Sequence, residues 1–238
     1  MRYRWHEIIS HRDYNADHDL TDPHEGLSPA LVQLIRQEAS SQRRVIEVGC
    51  GSGRLTFAIA PLFQEIIALD WSESALAEAR IATAAHRITN VRFRLADAEQ
   101  ADYEAVAGEP IHAVVAHLCM SNAIIAQAAR LGPETVLAFA AFHTDQWRET
   151  GIISRFAYGE SAMEEALDGA NFHPYYLGLE KEIFHFPSPD VAAAYVERTS
   201  LQTKWGSSPR WSGFLKYVQE GGHSLTVRAR VVVKARRQ

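Results

Sequence analysis

The stretch RRVIEVGCGSGRLTFAIA, residues Arg43 to Ala60, decides how the rest of this 238-residue chain is read. It runs from a β-branched segment, RVIEV, into glycines at alternate positions, Gly49, Gly51 and Gly53, and then into the helical pattern RLTFAIAPLF. Glycine loses more backbone entropy on folding than any other residue, so this spacing predicts a tight turn that something approaches closely. A strand, a glycine turn and a helix N-terminus in succession point backbone N–H groups at a ligand. Two details narrow the ligand. Dinucleotide sites prefer G-x-G-x-x-G, whose third glycine lets helix and strand pack closely; here Arg54 stands where that glycine belongs. Glu47 precedes the turn, and a carboxylate at a strand end repels a pyrophosphate. Cys50, inside the turn, reads as a small filler and not as a nucleophile.

Working outward, short apolar runs alternate with helical patterns. Ser28 and Pro29 open a helix over SPALVQLIRQEA as N-cap and first helical residue. EIIALD is a strand, followed by a helix over SESALAEARIATAAHR capped by Ser72. VRFRLAD, IHAVVAHLC and ETVLAFAAF are further strands, with NAIIAQAAR a helix between the last two. This rhythm predicts a doubly wound α/β core around a parallel sheet covered on both faces. After Phe142 it changes: SAMEEALDGANF is a helix, and YYLGLEKEIFHF and SLTVRARVVVKARR are long strands. Two helices, around PDVAAAYVERT and RWSGFLKYVQEG, lie between those strands with a turn at WGSSPR. In the last strand Arg228, Arg230, Lys234 and Arg236 alternate with apolar residues and read as one solvated face.

At 47% hydrophobic and 22% charged, the chain can bury a full core as one domain and lacks the composition of a disordered protein. A net charge of −5 argues against a broad nucleic-acid-binding surface. Two cysteines, Cys50 and Cys119, fit a reducing cytoplasm and supply no disulfide framework or zinc spacing. No run approaches the roughly 18 apolar residues of a membrane span, and the N-terminus has no signal-peptide core. The expectation is a soluble cytoplasmic protein, monomer or homodimer.

Three stretches in order, VIEVGCGSG, IIALDWSESALAEAR and VRFRLADAEQ, give the chain its resemblance to the class I S-adenosylmethionine-dependent methyltransferases. The resemblance covers roughly Ser28 to Phe186 together with the last strand. It implies a Rossmann-like, seven-stranded sheet of order 3-2-1-4-5-7-6 with the last strand antiparallel, and S-adenosyl-L-methionine as cofactor. It also implies roles. Glu47 supplies negative charge near the amino-acid moiety, and Gly49, Cys50, Gly51 and Gly53 form the turn that the ligand approaches. Asp70 accepts from the ribose hydroxyls, Trp71 offers a flat face to adenine, and Asp97 with the Ala98 N–H receives the adenine edge.

The methyl acceptor of this fold sits beside the fourth strand, here VVAHLCMSN. The Asn/Asp-Pro-Pro-aromatic tetrapeptide typical of nucleobase-amine methylation is absent from it. His117 and His143 end the fourth and fifth strands, and either can take a proton near neutral pH; His117 also borders the cofactor. Methyl transfer depends on alignment and exclusion of water, which predicts a cap. Residues 1–27 form a lid segment, and residues 143–158 and 187–222 are substrate-side insertions. Tyr14, Trp147, Tyr158, Trp205 and Trp211 are their candidate pocket aromatics. His11, Asp13, His18, Asp19, His24 and Glu25 crowd the N-terminal segment without any metal-site spacing, so no metal is expected.

The expected function is methyl transfer to a small-molecule acceptor. Transfer to RNA or protein is the alternative, with Arg43, Arg44, Arg148, Arg155 and Arg210 as a basic rim. A non-catalytic cofactor-binding module is a further one.

Overall fold

In the computed structural model, residues 2–16, 26–206 and 208–237 are described. Strands and helices follow one another as β1 (His6–Asp13), α1 (Pro29–Arg36), β2 (Ser40–Val48), α2 (Arg54–Ile59), β3 (Phe63–Asp70), α3 (Glu73–Ala85), β4 (Val91–Leu95), α4 (Tyr103–Ala107) and β5 (Ala113–His117). Then come α5 (Asn122–Ala128), β6 (Val136–Phe142), α6 (Glu160–Gly169), β7 (Phe172–His185), α7 (Pro189–Arg198), α8 (Ser200–Trp205), α9 (Pro209–Gln219) and β8 (Ser224–Arg237). Serines open helices where the sequence places them. The Ser28 hydroxyl accepts from Leu31 N at 3.0 Å and that of Ser72 from Ala75 N at 3.3 Å, caps worth about 1 kcal/mol each. Helix α8 goes beyond the two helices read between the last strands.

The strands form one sheet of order β4-β3-β2-β5-β6-β8-β7-β1. From β4 to β7 this is the expected 3-2-1-4-5-7-6 order. Strand β8 runs antiparallel to both β6 and β7. The eighth strand is a departure from expectation. Residues His6–Asp13, read as part of a lid, instead pair in parallel with β7 from His6↔Gly178 to Asp13↔His185. All eight are exposed, so no apolar alternation marked them as a strand; backbone pairing to β7 makes them one. His18, Asp19, His24 and Glu25, in the rest of that segment, lie outside the described residues.

Apolar residues fill both faces. Val45, Ile66, Val115, Ala138, Ala140 and Val232 pack under α1, α2 and α3. Ile46, Leu69, Val114, Phe139, Val231 and Val233 pack against α4, α5 and α6. The expectation of one solvated face on the last strand fails for the same reason that both faces are filled. Strand β8 lies inside the sheet, so Arg230 is 0% exposed and Lys234 8%. Lys234 Nζ is held at 2.6 Å from Glu38 and 2.9 Å from Gln37 Oε1. A third apolar cluster, including Phe184, Tyr195, Trp205, Phe214 and Val227, binds α7, α8 and α9 into a cap joining the end of β7 to the start of β8. That junction lies at the same edge as the carboxyl ends of β2, β3, β5 and β6. Among the described residues no helix is long and apolar enough to cross a membrane.

Candidate functional site

The turn after β2 is built as its glycines require. Gly49, Gly51 and Gly53 have φ of +65°, +53° and +96°, conformations that a Cβ resists. A Cβ on Gly49 would lie 2.3 Å from the Cys119 side chain, and one on Gly53 would lie 2.6 Å from the Phe57 ring. Nothing lies within 4 Å of the corresponding point at Gly51. The turn is therefore locked by packing at both ends and open in the middle, where a ligand can reach the backbone.

Three acidic residues of this edge have different environments. Glu47 is 1% exposed, and its Oε2 accepts from the Thr56 hydroxyl at 2.6 Å. Burial, with a smaller contribution from the Asp70 charge, pushes its carboxyl up to about 8. That shift favours the protonated acid at neutral pH, and a cation placed beside it would favour the carboxylate. Asp70, at the end of β3, accepts from Gly51 N at 2.7 Å and from Ser72 N at 2.9 Å, tying the glycine turn to the start of α3. Each carboxylate oxygen retains a further lone pair, enough for two ribose hydroxyls. Asp97 is exposed and holds its own turn, accepting from Glu99 N at 2.9 Å and Gln100 Nε2 at 2.8 Å. The Ala98 carbonyl beside it accepts from Tyr103 Oη at 2.8 Å. Trp71 is 84% exposed, so it is no core residue, and it leaves a bare indole face next to Asp70. Burial raises the thiol pKa of both Cys50 and Cys119, which fits packing and not nucleophilic duty.

The two strand-end histidines differ sharply. His117 ends β5, and its buried Nε2 has no hydrogen-bond partner among the described residues. Burial, and then the charges of Arg230, Arg54 and Arg228, hold it neutral, with its pKa down to about 3. Leu118 follows with φ +62°, a strained turn for a branched residue. His143 is 3% exposed and engaged on both ring nitrogens. Its Nδ1 accepts from Asp145 N at 3.0 Å, and its Nε2 meets Glu160 at 3.3 Å. It also bridges Tyr158, joining the start and end of the 143–158 loop. Both ring nitrogens of His143 are thus engaged within the protein, unlike Nε2 of His117.

Residues 39–157, half of the chain, match the methyltransferase domain family. The chain belongs to that family. Its sheet order and glycine turn are those of the class I S-adenosylmethionine-dependent methyltransferases, and S-adenosyl-L-methionine is the family's cofactor. Over 73 residues the chain is 37% identical to the tRNA/tmRNA (uracil-C(5))-methyltransferase of Azoarcus sp., a match covering 30% of this chain and 20% of that protein. Over 83 residues it is 25% identical to the probable S-adenosylmethionine-dependent methyltransferase CRG1 of Saccharomyces cerevisiae, covering 35% and 28%. Both matches span less than a third of the relative's length. The magnesium protoporphyrin IX methyltransferase of Synechocystis, solved with bound SAH, shares the fold with a TM-score of 0.57 at 15% identity, covering 88% of this chain and 80% of that one.

Around the methyltransferase core, several expected pocket aromatics hold the cap together. Trp205 is fully buried, edge-on to Trp147 at 5.6 Å and to Phe214 at 5.6 Å. Tyr14 packs on Phe186 at 5.0 Å and Tyr195 at 5.2 Å, and Trp211 stacks on Phe214 at 6.4 Å. Tyr158 is 8% exposed and donates to Asn122 Oδ1 at 2.8 Å. Burial, with the Glu99 charge behind it, pushes its phenol up to about 12. Two residues of the expected basic rim lie away from the site, while Arg148 follows Trp147 directly and the Arg210 guanidinium lies over the Trp147 ring at 5.8 Å. Arg43 and Arg44 sit at the start of β2, at the opposite edge from the turn, where Arg43 pairs with Glu38 and Arg44 with Glu65 and Glu109. Sequence reading missed Arg54, Arg228 and Arg230, which gather behind His117; recognising β8 as an interior strand would have pointed to the last two.

Proposed function

We propose that this protein transfers the methyl group of S-adenosyl-L-methionine to a small-molecule acceptor in the cytoplasm, where its two cysteines stay as free thiols. One observation carries the cofactor reading: the open backbone at Gly51 lies between a buried, protonated Glu47 and Asp70, beside the bare face of Trp71. When bound, the cofactor supplies a sulfonium-activated methyl for in-line displacement. Glu47 then ionises to balance the ligand's positive charge, Asp70 receives the ribose, and Trp71 covers adenine, with Asp97 and Ala98 at its edge. Gly49, Cys50 and Gly53 shape the turn.

The cap of α7–α9 roofs the carboxyl edge, and with the 143–158 loop it excludes water from the transfer. Tyr14, Trp147 and Trp211 are the substrate-side aromatics that retain some exposure. His117 is the acceptor-side hydrogen-bonding group. A small acceptor is favoured by this roof and by the position of Arg43 and Arg44 at the opposite edge; the Azoarcus relative supports RNA only over a short match. Binding that weakens steeply with salt would favour RNA.

The test is calorimetric titration with S-adenosylhomocysteine and, in parallel, NAD⁺, on the native chain and on Asp70→Ala. Micromolar binding of the first alone, lost in the variant, is expected. A folded sample that binds no S-adenosylhomocysteine at millimolar concentration refutes the cofactor assignment.

A further inference from the structure

We propose that a cleft at the amino edge of the sheet binds a phosphate monoester, with the phosphate on Arg236 and the organic group on the exposed ring of Tyr175. Arg236 pairs with Val136, the first residue of β6, so this cleft lies at the opposite edge from the glycine turn and is separate from the methyl-transfer site.

The cleft has a volume of about 410 Å³ and lies between Gln37 and Glu38, just after α1, and the strands β7 and β8. An irregularity in strand pairing shapes it. Pro174 pairs with Ala235 and Tyr176 with Lys234, so Tyr175 is an extra residue bulged from the β7–β8 ladder. Successive side chains of a regular strand point to opposite faces. The bulge re-aims one of them, and Tyr175 and Tyr176 both line the cleft. Lys234 and Arg236, two residues apart on β8, reach it by ordinary strand period. Tyr176 is stacked on His6 at 5.0 Å, whereas Tyr175 is 63% exposed.

Charge sets the sign of the ligand. Lys234, Arg43 and Arg236 converge on the Glu38 carboxylate at 2.6, 3.3 and 3.4 Å. His112 meets it at 2.8 Å, and burial lowers the pKa of that ring, so it adds no charge at neutral pH. Among the described residues, no second carboxylate lies within ion-pair distance of these three cations. Two positive charges therefore stand in excess. Burial alone would raise the Glu38 carboxyl, but hydrogen bonds from Lys234 and His112 and the charges of Lys234 and Arg236 hold it low. Glu38 also lines the cleft, yet four donors already cover it.

The available donors point to a phosphate. Lys234 spends its three N–H groups on Glu38, on Gln37 Oε1 at 2.9 Å and on the Leu34 carbonyl at 3.4 Å. It supplies charge, and its bond to Gln37 Oε1 leaves the Gln37 amide Nε2 to donate. The Arg236 side chain is 34% exposed, and among the described residues its one polar contact is that of Nη2 with Glu38. The remaining guanidinium donors can fork onto phosphate oxygens. A phosphate dianion matches the surplus of two charges, and the Tyr175 ring gives its organic group an aromatic surface.

The probes are phenyl phosphate, inorganic phosphate and phenyltrimethylammonium, titrated into the full chain at fixed ionic strength, with and without saturating S-adenosylhomocysteine. Phenyl phosphate is expected to bind with a Kd on the order of 1 mM, at least about threefold tighter than inorganic phosphate, and the cation not at all. Arg236→Gln should weaken both phosphates about tenfold. Tyr175→Ala should remove only the advantage of the phenyl group, and an unchanged urea midpoint checks the fold of each variant. S-adenosylhomocysteine should leave phenyl phosphate binding unaltered, because the two sites lie at opposite edges. The proposal is overturned if neither phosphate binds, if Arg236→Gln leaves their affinity unchanged, if the two phosphates bind equally, or if S-adenosylhomocysteine competes with them. Failure of S-adenosylhomocysteine itself to bind counts against the methyltransferase reading alone.

Discussion

Replacing Glu47 by glutamine should stabilise the fold and weaken the cofactor site at once. In the native chain this carboxyl titrates near 8, against 4.5 for an ordinary glutamate. A raised acid pKa contributes stability fully below pH 4.5, and the contribution is lost as pH climbs to 8. Between pH 5 and 8 the wild type should therefore lose about 3 to 4 kcal/mol relative to a variant whose side chain has no proton to release. Glutamine keeps the shape and can still accept the Thr56 hydroxyl, so packing is preserved. The assay is urea unfolding of both proteins at pH 5 and pH 8, comparing the difference between them at each pH. The difference should open with pH in favour of Glu47→Gln. Parallel stabilities at both values would mean that the buried carboxyl is not held protonated, and the assignment of Glu47 as a cation-triggered group would fall. The matching expectation is that S-adenosylmethionine binds the variant about tenfold more weakly at pH 8, since the amide cannot ionise to meet it.

The glycines separate packing from ligand access. Gly49→Ala drives a Cβ into Cys119 and should cost more than about 2 kcal/mol in thermal or urea unfolding. Gly51→Ala carries a left-handed backbone penalty of about 1 kcal/mol yet should weaken S-adenosylhomocysteine binding tenfold or more; equal stabilities of the two variants would refute the distinction. At the opposite edge, burial tends to raise the Glu38 carboxyl, but hydrogen bonds from Lys234 and His112 hold it down to about 2. Its stabilisation is present above pH 4.5 and lost as pH falls to 2. Glu38→Gln should therefore cost about 1 to 2 kcal/mol at neutral pH, allowing for solvent screening, and nothing near pH 2, as read from acid unfolding curves.

Local chemistry explains what could be read from the chain beforehand. The glycine turn, Asp70 and the Ser72 cap are fixed by neighbours within a few tens of residues, and each needs a specific residue type to form. Strand β1 carries no such mark, because an exposed edge strand takes its conformation from the distant β7. Arg228 and Arg230 show the strand period correctly, but the period alone does not say whether their face meets water or α1 and α2. His117 and His143 are the same residue type at equivalent strand ends, and only the partners brought by Asp145 and Glu160 set them apart. Trp205 illustrates the limit for aromatics: a large ring suits a pocket or the core beneath it, and the choice depends on α7 and α9 closing over it.

Strand β8 comes last in chain order among the described strands, yet it threads between β6 and β7. Until Ser224–Arg237 emerges, β6 presents an unpaired edge and β7, with β1 beside it, has no attachment to the rest of the sheet. The glycine turn can form early beside β2 and β3, while Arg228, Arg230 and the cap that hangs from β8 arrive only at the end. A nascent chain of this order completes its glycine turn before it can complete its cap.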